Sequence, residues 1–289
     1  MRAEVTFEAT GTRWTLLTPR PLPDRLLLRV REVVEAYEAV WSRFRPDSVV
    51  SRVARAGGTH VLPPHAADLL DLYDALGVLT DGAVSPLVGR SLERLGYDGA
   101  LSLRTRGAPV PAPPGDVLGR TGCVVTARTP VLLDVGAAGK GQLVDLVAAE
   151  LRRAGVDEYV VDAGGDMVHR GVDPLRVGLQ VPGDPGRVLG VVELRDGALC
   201  ASAVDRRAWG DGLHHVLDAR TGLPTRDVVA TWALAPDAML ADGLATALFF
   251  ADPGRLRAAY PYPLVRVRAD GRATWSPDLP GELFVRTGG

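Results

Sequence analysis

Polar and apolar residues alternate at the start of the chain. Val5, Phe7 and Ala9 lie on one side of such an alternation, and Thr12 to Leu17 is rich in strand formers after a turn at Gly11. This predicts one or two strands in the first 20 residues. The period then changes. Leu26, Leu27, Val30, Val33, Val34, Tyr37 and Val40 recur at helical spacing, which predicts a helix over 24–44 with its start marked by Pro21, Pro23 and Asp24. Leu69, Leu70, Leu72, Tyr73 and Leu76 repeat the pattern over 66–78. Residues 100–117 have little periodicity and carry Pro109, Pro111, Pro113 and Pro114, so they read as a surface loop or a connection between lobes. Further on, Val131 to Val135 reads as a buried strand, Gly136 to Gly141 as a small-residue turn, and Gln142 to Ala154 as a helix. Tyr159 to Asp162 is the next strand, closed by Ala163-Gly164-Gly165-Asp166 in a βαβ-like arrangement with the preceding helix. Strands are expected at 175–181, 188–194 and 214–218, a helix at 236–250 with Pro236 in its first turn, and closing strands at 263–269 and 282–286. Helices mixed with short, hairpin-like strands indicate an α+β fold, read as one domain over 1–289 with no internal repeat.

Composition narrows the function classes. Formal net charge is −2, without the basic excess of a nucleic-acid surface or of a polybasic membrane face. No apolar run approaches a membrane span, and Met1 to Phe7 shows no apolar signal core, so a cytoplasmic protein without a membrane anchor is expected. Cys123 and Cys200 are in no metal-like pairing and read as two free buried thiols, with a disulfide left open. Isoleucine and asparagine are absent, and Lys140 is the one lysine among 33 basic residues. Such a drift is that of a high-GC genome, and the surviving lysine stands out.

Lys140 lies in a glycine-rich turn that opens a helix, an arrangement resembling a phosphate cradle. It is not a Walker A loop: Asp134 and Gly141 stand where that motif needs Gly and Ser or Thr. The plain alternative is a tight turn with an exposed lysine. Gly164-Gly165-Asp166 forms a second glycine pair, by itself only a turn signal. Asp242 and Thr246 share a helix face and offer hard oxygen ligands of the kind Mg²⁺ takes, or else serve only their own helix. His214 and His215 adjoin, so on a strand only one faces a given site.

Taken in order, these segments resemble the ApbE family of flavin transferases. The resemblance runs through Ala9-Thr10-Gly11-Thr12, Ser42-Arg43-Phe44-Arg45-Pro46-Asp47-Ser48, Gly82-Ala83-Val84-Ser85-Pro86-Leu87, Asp134 to Asp145 around Lys140, Asp162 to Asp166, His215 to Gly222 and Ala241 to Ala247. Departures fall at Ala54, where the family usually has Asn, at Val84, Ser85 and Leu87, which replace an aromatic residue, Asp and Thr, and at Ala219, which replaces Pro.

The resemblance implies a two-lobed α+β architecture, antiparallel or mixed sheets flanked by helices, with the active site between lobes. It implies Mg²⁺-dependent transfer of FMN from FAD to a Thr or Ser hydroxyl of a target flavoprotein, with release of AMP. By the same resemblance Lys140 contacts the FAD diphosphate, within a cofactor-binding set of Gly139, Gly141, Gly164, Gly165, Asp166, Ser202 and His215. Asp242, Thr246 and the Gly139 carbonyl hold Mg²⁺. His215 and Asp242 are the candidate catalytic bases. Water in place of the acceptor hydroxyl gives an FAD diphosphatase instead, and a flavin-binding or flavin-delivering protein is the non-catalytic alternative.

Overall fold

The computed structural model describes residues 3–284. Its α-helices are α1 (Asp24–Trp41), α2 (Val49–Ala56), α3 (Ala66–Leu79), α4 (Gly89–Leu95), α5 (Gly139–Arg153), α6 (Ala238–Ala247) and α7 (Pro253–Ala259). The chain divides into two compact units. The first takes the residues up to Val34, Ala138–Arg206 and the chain from Arg226 onward; the second takes Glu35–Ala137 and Arg207–Thr225.

Strands of the first unit are numbered β1 (Ala3–Ala9), β2 (Thr12–Thr18), β3 (Tyr159–Asp162), β4 (Asp166–Arg170), β5 (Leu175–Val181), β6 (Asp184–Leu194), β7 (Gly197–Ala203), β8 (Val228–Ala235), β9 (Leu264–Arg268), β10 (Ala273–Trp275) and β11 (Gly281–Leu283). Eight of them form one sheet in the order β1-β2-β3-β4-β7-β8-β9-β10, and β11-β6-β5 form a second sheet. Every neighbouring pair is antiparallel. One face of the large sheet packs on the small one through Leu199, Trp232, Val265 and Val267 against Leu179, Val192 and Leu194. The other face carries α5 and α6. Strand β8 is therefore covered on both sides, which is why Val-Val-Ala-Thr-Trp-Ala-Leu-Ala is nearly continuous in apolar residues and almost wholly buried. That continuity hides it from an alternation test.

The second unit holds α2, α3 and α4, and a small sheet of strands Gly58–Val61, Leu118–Thr121 and Val124–Ala127. Helix α3 buries Leu69, Leu70, Leu72, Tyr73 and Leu76, the stripe expected from its spacing. Residues 101–114 contain no helix or strand. Among the described residues no helix is long and apolar enough to cross a membrane.

Several expectations need correction. Val131–Val135 is buried but joins no strand ladder; the Asp134 N–H instead donates to Pro86 O at 2.8 Å. With no strand before α5, and β3 and β4 joined as an antiparallel hairpin, there is no βαβ unit. Helix α5 begins at Gly139, three residues before Gln142. Residues 214–218 split into the ends of two short hairpins instead of one strand. Asp237 caps α6 by accepting from Leu240 N, which leaves Pro236 outside the helix. Helix α1 ends at Trp41 instead of residue 44. Both cysteines are free, but only Cys200 is buried; Cys123 is partly exposed. Of the closing strand expected at 282–286, residues 282–283 lie in β11 and 285–286 lie outside the described residues.

Candidate active site

Helix α5 starts on a residue that cannot cap it. Ala138 has no side-chain oxygen, so no side chain closes the first turn from the N-cap position. The lysine follows immediately. Lys140 Nζ lies 2.6 Å from Asp166 Oδ2, with the lysine side chain 22% and the aspartate side chain 1% exposed. The other oxygen, Asp166 Oδ1, is buried with no hydrogen-bond partner among the described residues. The plain reading of a tight turn with an exposed lysine does not hold, since the ammonium is mostly buried and paired with Asp166.

The β3–β4 turn delivers Asp166 to this point. Asp162 Oδ1 accepts from Gly165 N at 2.9 Å, and burial pushes the Asp162 carboxyl up while that N–H works against it. Gly164 has φ +70°, and a Cβ there would meet Thr12 Oγ1 at 2.2 Å, so the position admits only glycine. In the β4–β7 ladder Cys200 stands opposite Asp166. Cys200 and Ser202 are two apart on β7 and share a face. Burial pushes the Cys200 thiol up, with Asp166 and Asp242 adding to it and Lys140 opposing. Direct contacts place Lys140 on Asp166 and, one residue later on α5, Gly141 N on Asp242.

Helix α6 is fastened to α5 at that point. Gly141 N donates to Asp242 Oδ2 at 2.9 Å, and Asp242 is 3% exposed. Four residues on, Asp145 accepts from Ala238 N at 2.9 Å and Met239 N at 2.8 Å, taking two of the N–H groups that open α6. Burial pushes the Asp145 carboxyl up to about 7, against the pull of those two N–H groups. Sequence reasoning gave Asp145 no role; its four-residue spacing from Gly141 along α5 was the available signal. Gly141, expected as part of a cradle, is also the contact residue of the two helices. A Cβ there would lie 2.1 Å from Ala238 O.

Asp242 and Thr246 both lie on α6, one turn apart. Each carries a hard side-chain oxygen of the kind Mg²⁺ takes, an ion that keeps several waters and needs few protein ligands. The α5 ladder opens one residue before Gly139, where the Ala138 carbonyl accepts from Gln142 N at 3.0 Å. Among the described residues no three His, Cys, Asp or Glu side chains group as a metal site, and the expected set with its single carboxylate does not need one.

His215 belongs to the second unit, between short strands Leu213–His214 and Leu217–Asp218. The two neighbouring histidines differ. His214 is buried, its Nε2 is 2.8 Å from Thr225 O, and its Nδ1 accepts from Val216 N at 3.3 Å. Burial lowers its pKa, and both nitrogens are engaged by backbone. His214 is thus held by backbone on both ring nitrogens, whereas His215 is partly exposed.

The same unit accounts for three departures from the family pattern. Ser85 accepts from Leu87 N at 3.2 Å, the helix-start cap an aspartate could also give. Leu87 is buried in the apolar interior. Ala219 N donates to Ala83 O at 2.9 Å, a bond that proline could not make. In the same unit, Arg43 is 3% exposed at its side chain, donates from Nε to Asp134 Oδ2 at 2.6 Å and from Nη1 to Tyr97 O at 2.6 Å. Its guanidinium lies over Phe44 and Tyr97, 4.3 and 4.8 Å from the ring centroids. Burial alone would raise the Asp134 carboxyl, but Arg43 and the Gly136 N–H outweigh it and hold it below the usual carboxylate range.

Comparison with known proteins gives a consistent picture. The model of the ApbE family matches residues 10–262. A Rhodobacter capsulatus FAD:protein FMN transferase is 32% identical over 274 residues, which are 86% of this chain and 51% of that protein. The chain thus spans about half the length of that relative. A Klebsiella pneumoniae FAD:protein FMN transferase is 25% identical, covering 90% of this chain and 79% of its own length. Among solved structures, the ApbE protein of Thermotoga maritima superposes with a TM-score of 0.83 at 24% identity, over 96% of this chain and 97% of that one. The flavin transferase ApbE of Vibrio cholerae gives 0.79 at 22% identity, over 96% of each chain. At these identities the structural likeness is one of fold.

Proposed function

Because the chain belongs to the ApbE family, we propose that it is a Mg²⁺-dependent FAD:protein FMN transferase that moves FMN from FAD to a Thr or Ser hydroxyl of a target flavoprotein. The observation that carries this reading is the start of α5, where one lysine, a helix N-terminus and a fixed carboxylate converge. A diphosphate suits such a place, because a helix start and an ammonium both attract anionic oxygen.

Each residue then has a task. Lys140 neutralises charge on the diphosphate, and Asp166 holds the ammonium in place. Gly141 N–H fixes the Asp242 carboxylate, so that with Thr246 and the Gly139 carbonyl it forms an oxygen site for the cation. Mg²⁺ bound there supplies charge neutralisation on the phosphoryl oxygens. Gly164 and Gly165 keep the turn before Asp166 tight, and Ser202 offers a hydroxyl on the same strand face as Cys200. In the transfer, the acceptor hydroxyl oxygen bonds to the FMN-side phosphorus. The bond from that phosphorus to the bridging oxygen breaks, AMP leaves, and the hydroxyl proton passes to a base. His215 and Asp242 are the proposed bases.

The test is an incubation of the protein with FAD, Mg²⁺ and a candidate flavoprotein domain. Transfer gives AMP together with a mass increase of the domain equal to one flavin group. AMP with free FMN assigns the protein to FAD hydrolysis instead. Absence of AMP with and without the domain, with flavin bound, would leave only a carrier role. His215→Ala is expected to stop flavinylation.

A further inference from the structure

Helices α5 and α6 cap one another. Gly141 is the third residue of α5, and its N–H is one of the donors that a helix start leaves without a partner in its own ladder. It donates to Asp242 Oδ2, a carboxylate on α6. In return Asp145 of α5 accepts from Ala238 N and Met239 N, the first two donors of α6. Each helix thus closes the start of the other with a carboxylate. The two fastenings are in step, since Gly141 and Asp145 are about one turn apart on α5 and Ala238 and Asp242 are about one turn apart on α6.

Ala238 is the node of this contact. Its N–H goes to Asp145, its carbonyl accepts from the Cys200 thiol of β7 at 3.4 Å, and a Cβ on Gly141 would lie 2.1 Å from the same carbonyl. The side chain that Gly141 lacks is what lets α6 come this close. Asp237, the N-cap of α6, accepts from Leu240 N with its side chain and from Ala241 N with its carbonyl. The four opening donors of α6 are therefore all used, two by a residue of α5 and two by its own cap.

The two caps do different work. The Asp237 cap is local and closes the first turn of α6 whatever that turn packs against. Asp145 ties the same turn to another helix. Its two oxygens each take one of two successive N–H groups, which fixes both where α6 starts along α5 and how it is turned. Asp242 stands one turn further along, so the place of its carboxylate beside Gly141 depends on that grip. The following turn has a separate anchor, because the Ala245 carbonyl next to Thr246 accepts from Thr231 Oγ1 of β8 at 2.6 Å.

We propose that Asp145 is a positioning residue of the transferase, acting through α6 to set the Asp242 carboxylate at the start of α5 for the cation. The task of Asp242 rests on the function proposed above, whereas the clamp rests on the contacts between the helices alone. The test has one arm without cation and one with it. In the first, amide hydrogen exchange is read on the full chain, relative to the Val147 amide inside α5, which cancels any global loss of stability. In the unmodified protein the Gly141, Ala238 and Met239 amides should open together, with protection within about threefold of one another. Asp145→Asn keeps the side-chain size and one acceptor oxygen but turns an NH₂ group toward the other amide. It should lower Gly141 protection at least about tenfold, the scale of one lost hydrogen bond to a charged group. Asp237→Ala, which removes only the local cap, should leave Gly141 protection within about twofold of the unmodified protein. In the second arm AMP release from FAD is followed against Mg²⁺ concentration. Asp145→Asn should raise the half-saturating Mg²⁺ concentration at least about tenfold, with kcat at saturating Mg²⁺ within about threefold, and Asp237→Ala should change neither. Separate opening of the Gly141 and Ala238 amides in the unmodified protein would overturn the clamp, and decides the matter if Asp145→Asn does not fold. Unchanged Gly141 protection in folded Asp145→Asn, an equal loss in Asp237→Ala, or an unchanged Mg²⁺ requirement would each overturn the positioning role. Absence of Mg²⁺-dependent AMP release from the unmodified chain would instead overturn the function proposed above, while the exchange arm still decides whether Asp145 sets the Asp242 carboxylate.

Discussion

Gly141→Ala adds one methyl group at the contact between α5 and α6. The new Cβ would lie 2.1 Å from Ala238 O, 2.6 Å from its carbonyl carbon and 2.8 Å from Asp242 Cβ. Carbon contacts settle near 3.5–4.0 Å, so the overlap is about 1 Å or more. Two of the three obstructing atoms are backbone and cannot rotate aside. Helix α6 is further held by Asp145 at Ala238 N and Met239 N and by its own Asp237 cap. Relief therefore needs the helices to part, which stretches the Gly141–Asp242 hydrogen bond. Overpacking of a dense interior costs about 1–3 kcal/mol, and a hydrogen bond to a charged group contributes about 1.5–3. Replacing a helical glycine by alanine returns about 1 kcal/mol. The expected net loss is about 2–4 kcal/mol, a fall in melting temperature of roughly 3–7 °C for a chain of this size. Gly115→Ala is the control, because nothing lies within 4 Å of a Cβ there; it should stay within about 0.5 kcal/mol of the parent. Thermal unfolding followed by circular dichroism reads both. AMP release from FAD should drop about a hundredfold in Gly141→Ala, since displacement of a positioned carboxylate by about 1 Å has that scale. If Gly141→Ala melts at or above the parent temperature, the α5–α6 contact does not position Asp242 and the reasoning fails.

Other consequences follow from the same contacts. Lys140→Met leaves the buried Asp166 without its cation and should destabilise the protein by about 3–5 kcal/mol; adding Asp166→Asn should restore much of that, and a thermal double-mutant cycle showing simple additivity would refute the coupling. The Asp134 carboxyl is held below its ordinary range in the folded state, so its stabilisation is complete above the unfolded carboxylate pKa of about 3.9 and is lost as pH falls through the folded value. Urea midpoints measured between about pH 5 and pH 2 should therefore fall less steeply in Arg43→Gln than in the parent. In the native protein a thiol reagent should modify Cys123 readily and Cys200 only after unfolding, because Cys200 is fully buried with its thiol pKa raised; equal native rates by mass spectrometry would contradict the packing.

Periodicity revealed elements that present one face to the core. The α3 stripe and the β1–β2 alternation were readable for that reason, as each has a wet side and a dry side. Strand β8 has no wet side, and Val131–Val135 is dry without being a strand. A run of buried apolar residues fixes burial and leaves the backbone partner open; for Asp134 that partner is Pro86 O, far along the chain. Lys140, Asp166 and Asp242, which the fold brings to the start of α5, were visible by their chemistry. The residues that position them were not. Asp145 holds the start of a helix that follows some ninety positions later, and Arg43 holds Asp134 at a similar separation. No local pattern encodes such a pair, because only the folded chain brings the charges together.

The lone lysine shows how composition and geometry combine. A chain that writes arginine at 32 of its 33 basic positions retains lysine at residue 140. There Nζ is 2.6 Å from a carboxylate 1% exposed, and the next residue has no room for even a methyl group. An ammonium is a compact point charge that meets a single carboxylate oxygen from any direction; a guanidinium is a planar fork that needs width. The buried Oδ1 of Asp166 cannot be reached by the second arm of such a fork without moving the β3–β4 turn, which Gly164 packs tightly against Thr12. Lys140→Arg should therefore keep the charge and still lose AMP release from FAD by more than about tenfold, with a thermal penalty of about 1–3 kcal/mol from overpacking. Full activity and an unchanged melt in Lys140→Arg would mean that the site accepts the fork, and that the lysine persists for a reason unrelated to its shape.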